Sequence, residues 1–123
     1  MELRAVGATL DSNDPELIAD FWQAAIGFKK RIGDGQPYIT LSDSEVGRPL
    51  NHLTIQRVPE AKMAKHRLHF DLFVTDDEVA IAELVALGAT VLVPATGPGH
   101  EGMTATVMAD PEGGEFCVVC RRS

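Results

Sequence analysis

Basic residues are scarce in this chain. Eleven Lys and Arg stand against eighteen Asp and Glu, giving a net charge of −7 at neutral pH. That balance argues against nucleic acid and against an anionic membrane, both of which attract positive surfaces. Long apolar runs are also missing. Although 45% of residues are hydrophobic, no run approaches the roughly 18 residues that a bilayer span needs. The N-terminal residues show no charged leader followed by a long apolar segment, so the expected compartment is the cytoplasm. No glycine-rich loop with a lysine joins a strand to a helix, which removes phosphate-loop chemistry. No serine occupies a nucleophile elbow. Cysteine is nearly absent: only Cys117 and Cys120 occur. Their C-x-x-C spacing suggests a redox pair or a zinc clip. On a strand, however, residues three apart point to opposite faces. The pair therefore reads as one thiol per face, with Cys120 a small buried hydrophobe.

What is present is enough for one globular domain with a real core: 123 residues of ordinary composition. Residues 3–11 read as a strand. A helix follows from Asp14 as N-cap with Pro15 at its first position, and it stops at Gly27. Leu17, Ile18, Phe21, Trp22 and Ala25 form its apolar stripe. "FKKRI" and "YITLS" fit a hairpin. A polar loop over 42–51 then leads to the strand "HLTIQRV". The second half repeats the order. "RLHFDLFV" is a strand, a helix opens with a Thr75–Glu78 capping box and ends at Gly88, and "ATVLV", "MTATVMA" and "EFCVVCR" are three further strands. Gly7 and His69 stand equally far before the two helix starts, and Gln56 and Cys117 end the two halves. The near-constant spacing predicts a duplicated unit of about sixty residues. The expected architecture is α+β: two βαβββ modules, residues 1–58 and 67–123, joined by a linker at 59–66.

Strand alternation then assigns faces. Leu68, Phe70, Leu72 and Val74 should pack under a helix, with His69 and Asp71 on the other side. Leu53 and Ile55 oppose His52, Thr54 and Gln56. Phe116, Val118 and Cys120 oppose Glu115, Cys117 and Val119. The expected ligand-binding residues are therefore His52, Gln56, His69, Asp71, Glu115 and Cys117. His69 beside Asp71 suits an acid/base pair or a structural ion pair. Glu115 suits a general base or the solvent rim of its strand. The loop "PATGPGHEGM" suits a cover that carries His100 and Met103 to a ligand.

The order and spacing of "SNDPELIADFWQAAIGF", "VPEAKMAKHRLHFDLFV", "ELVALGATVL" and "DPEGGEFCVV" resemble the vicinal oxygen chelate superfamily. The likeness is to its glyoxalase-like branch, which includes bleomycin-resistance proteins. The resemblance implies paired modules curling into a cup, often within a homodimer, with modules side by side or exchanged. It also implies metal ligands at the positions of Gly7, Gln56, His69 and Cys117. Only Gln56 and His69 carry the usual ligand types, and Cys117 stands where a Glu is usual. Gln56, His69 and Cys117 are thus the metal candidates. Since Gly7 has no side chain, the expectation is a protein that holds a small organic molecule without a resident cofactor. The alternative is a metal-dependent glyoxalase-like isomerase, lyase or dioxygenase using a divalent ion.

Overall fold

The computed structural model describes residues 1–3, 6–43, 52–97 and 99–121, with the His100 side chain left aside. The expectation for His100 lies outside the described side chains, and the polar loop before His52 lies largely outside the described residues. The chain divides into two compact units, Met1–Ala61 and Lys62–Ser123.

Unit one runs β1 (Ala8–Ser12), α1 (Pro15–Ile26), β2 (Lys30–Ile32), β3 (Tyr38–Ser42) and β4 (His52–Arg57). Its sheet has the order β1-β4-β3-β2, with β1 parallel to β4 and the other pairs antiparallel. The Asp14 side chain accepts from Leu17 N–H at the start of α1, and Gly27 ends the helix in the left-handed region at φ 84°. Both ends match the sequence reading, because each depends on one local residue with the right chemistry. The helix buries Ile18, Ala19, Phe21 and Trp22 over β3 and β4, whose Ile39, Leu41, Leu53 and Ile55 are fully enclosed. Phe21 and Trp22 meet edge to face, 5.0 Å between ring centroids. Arg31 pins β2 to this helix through Asp20.

Unit two runs β5 (Asp71–Val74), α2 (Asp77–Ala86), β6 (Thr90–Val93), a single 3-10 turn at His100–Gly102, β7 (Met103–Ala109) and β8 (Glu115–Arg121). Its sheet order is β5-β8-β7-β6, the same topology as unit one, with β5 parallel to β8. The fold is therefore α+β with two βαβββ modules. Phe116, Val118, Cys120, Met108 and Leu84 form its core under α2.

Four details differ from the sequence reading. The first strand, expected over residues 3–11, is β1 and begins at Ala8, leaving Val6 exposed. The cap of α2 is Asp76, whose carboxylate accepts from Val79 N–H; Thr75 precedes it. The strand expected from residue 67 begins only at Asp71, leaving Leu68 77% exposed. Asp71 pairs with Cys117, so counting back two places sets His69 level with Glu115, the first residue of β8. The β5–β8 ladder stops at the Asp71–Cys117 pair, while β8 stays paired to β7 down to Glu115. Finally, the repeat drifts. The N-caps Asp14 and Asp76 are 62 apart (76 − 14). Pairing sets Thr9 against Thr54 and Asp71 against Cys117, so the last strands are 63 apart (117 − 54). Thr54, not Gln56, is the module-one counterpart of Cys117.

Candidate functional site

In each unit the helix covers one face of the sheet and leaves the other to carry chemistry. The uncovered face of unit one is largely polar, with the exposed Ile32 as its apolar member on β2. Thr9, Thr54 and Thr40 lie in one row across β1, β4 and β3, and Asp11, Gln56 and Tyr38 lie in the next. The Gln56 amide donates to the Tyr38 hydroxyl at 3.4 Å. His52 starts β4 on the same face. A Cβ at Gly7 would come within 3.3 Å of its Nδ1, so the missing side chain leaves room for this imidazole.

The corresponding face of unit two differs in character. One row holds Asp71, Cys117, Val107 and Val93; the next holds Phe73, Val119 and Ala105. Phe73 is 70% exposed. This is an apolar surface with its polar groups gathered at one edge.

Those polar groups converge. His69 Nε2 lies 3.2 Å from Asp71 Oδ1. One ligating atom from each of His69, Asp71 and Cys117 lies within 4.8 Å of the others. The alternation argument brought His69 and Asp71 to one side, and that juxtaposition is present even though His69 precedes the strand. Burial pushes the Cys117 thiol pKa up, the Asp71 carboxylate adds to the rise, and Lys65 partly opposes it. A thiol held protonated is a poor nucleophile. Three lone-pair groups of different softness around one point form a donor set suited to a cation or to a polar ligand group.

Glu115 shares this strand and is already engaged. Its Oε1 accepts His66 N–H at 3.0 Å, and its Oε2 meets Lys62 Nζ at 3.0 Å. The His66 amide, followed by Lys62, holds its carboxyl down at about 2 against burial. Sequence reasoning missed both partners. Neither sits in a recognisable motif, and His66 is 49 residues away.

The sequence matches the profile described as glyoxalase-like domain over residues 7–119. Among solved structures, the chain resembles a fosfomycin resistance protein from Listeria monocytogenes, a mutant complexed with manganese(II) and dihydroxypropylphosphonic acid. The identity is 15%, the TM-score 0.73, and the match covers 99% of this chain and 93% of that one. A glyoxalase-related enzyme from Fulvimarina pelagi is 21% identical, with a TM-score of 0.69 over 97% of this chain and 89% of that one. A glyoxalase/bleomycin resistance protein/dioxygenase family enzyme from Burkholderia phytofirmans is 14% identical, with a TM-score of 0.70 over 93% and 95%. At such identities the likeness shows a shared fold. No curated protein matches the sequence.

Proposed function

The chain belongs to the glyoxalase-like domain family, and from that premise we propose that it binds a small organic molecule on the uncovered face of its second sheet. One observation carries the reading: an apolar wall of Phe73, Val107 and Val119 borders the converging His69, Asp71 and Cys117. Apolar contact supplies affinity in such sites, and a few placed polar groups fix orientation. The small phosphonic acid held by the Listeria protein supports a ligand of similar size. The test is fragment screening by NMR on protein with labelled methyl groups and histidines. Binders should perturb Val107, Val119 and His69 together. A library whose binders all leave those signals unmoved overturns the reading.

A second reading is a metal-assisted enzyme, and the donor set favours it. A neutral imidazole, a carboxylate and a thiolate fit zinc, with a fourth position left for water or substrate. The thiolate favours zinc over manganese. Bound there, zinc would supply Lewis acidity, and His69, Asp71 and Cys117 would hold it. Elemental analysis of protein purified without chelator separates the readings. Organic-ligand binding alone predicts metal well below one equivalent per chain. Near one equivalent of zinc, lost in His69→Ala, replaces it with the enzyme.

A further inference from the structure

We infer that Glu115 is a positioning residue, whose carboxylate holds the backbone leading to His69 in the place that brings the imidazole to Asp71 and Cys117. The inference rests on the reading of those three residues as the site.

His69 lies outside regular structure, because the β5–β8 ladder ends at the Asp71–Cys117 pair. The last rung of the ladder and one side-chain hydrogen bond bracket the span. Phe70 C=O accepts Cys117 N–H at 2.9 Å, and Glu115 Oε1 accepts His66 N–H at 3.0 Å. Residues 67–69 are thus a three-residue span tied to β8 at both ends. The Glu115 side chain serves as the acceptor that the strand, having run out, cannot supply from its backbone. Lys62 Nζ, 3.0 Å from Oε2, balances a carboxylate that is only 11% exposed and ties the chain further upstream.

The turn before Glu115 is built to the same end. Asp110 Oδ1 accepts the amides of Glu112 and Gly114, each at 2.9 Å, which fixes where β8 begins. Gly114 carries no side chain for a spatial reason. A Cβ there would lie 2.7 Å from Asp110 Oδ2 and 3.0 Å from His66 Cε1. The stretch "DPEGGE" is therefore a cradle for His66, and through it for His69. A span held at one end only would leave the imidazole free to leave Asp71, since an unpaired coil segment samples many conformations.

Glu115→Ala and Glu115→Gln separate positioning from bulk stability. The glutamine retains an oxygen for the His66 amide, while the alanine does not. In Glu115→Ala, hydrogen exchange at the His66 amide should accelerate about tenfold or more, the scale of a lost charge-assisted bond. The His69 imidazole signals should move toward those of a free side chain, and iodoacetamide should alkylate Cys117 several-fold faster. Buried Cys120 is the internal control and should keep its wild-type rate. Glu115→Gln should stay near wild type in all four. Gly114→Ala, with the carboxylate intact, should reproduce the His66 and His69 changes, which covers the case in which Glu115→Ala does not fold. Unchanged His69 signals in Glu115→Ala, or Cys117 and Cys120 exposed in step, overturn the inference. These readouts need no ligand, so they stand apart from the fragment screen that tests the site itself.

Discussion

Glu115 makes a prediction about acid stability. Its carboxyl falls from the ordinary 4.5 to about 2 in the folded chain. A depressed carboxyl contributes stability that is complete above its unfolded pKa and disappears as pH falls through the folded one. The window is therefore pH 4.5 down to about 2. Urea midpoints measured across that window should fall less steeply in Glu115→Gln than in wild type; equal slopes would place the acid sensitivity elsewhere. Cys117 shifts the other way, and Asp71 contributes to the rise. Asp71→Asn should lower the pH at which iodoacetamide alkylates Cys117, and an unchanged profile would show that the two groups do not interact. At this scale the sequence was half legible. Period-two alternation put His69 beside Asp71, and the pair is there although His69 lies outside the strand on which that rule operates. The resemblance pointed to Cys117. Nothing local announced Lys62 or His66 as partners of Glu115, since that contact depends on where a distant strand begins.

Between elements, α1 and α2 contrast. The stripe expected on α1 is buried at Ile18, Phe21 and Trp22 and exposed at Leu17, whereas α2 encloses little beyond Leu84 and leaves Val79 and Val85 exposed. Helix α1 was legible to both ends because a cap, a proline and a glycine mark it. The start of β5 was not, because pairing with β8 begins only at Asp71–Cys117 and no local residue marks that point. That neighbour moves the expected core residue. Phe70, at the end of the ladder, is half-buried, while Phe116 on β8 is wholly enclosed. Phe116→Ala should cost about 3–5 kcal/mol, the usual loss on emptying a core aromatic site. Phe73→Ala should leave the melting temperature nearly unchanged and weaken fragments bound to that face. Thermal melts of the two variants check the assignment, and a reversed order would put β5 and β8 in the other register.

For the whole molecule, the duplication was visible in the spacing, and the one-residue drift between helices and last strands was not. A drift of that kind arises in loops, where length is tolerated. Among the described residues each sheet also has edge strands with one neighbour, β6 among them, where Val91, Leu92 and Val93 are all exposed. Exposed apolar edges invite pairing with another chain, so we expect a homodimer. Light scattering at micromolar concentration should give twice the chain mass, and a sharp monomer mass refutes it. The unlike uncovered faces of the two modules have a thermal consequence. Threonines, Tyr38 and Gln56 on one sheet hold water by hydrogen bonds, and a ligand there must replace each bond it displaces. Phe73 and Val107 on the other are apolar groups open to water, and covering them lowers the heat capacity. Calorimetry of any ligand at several temperatures therefore identifies the sheet it touches: an enthalpy that grows steeply more favourable on warming marks the second module, and a nearly flat one marks the first.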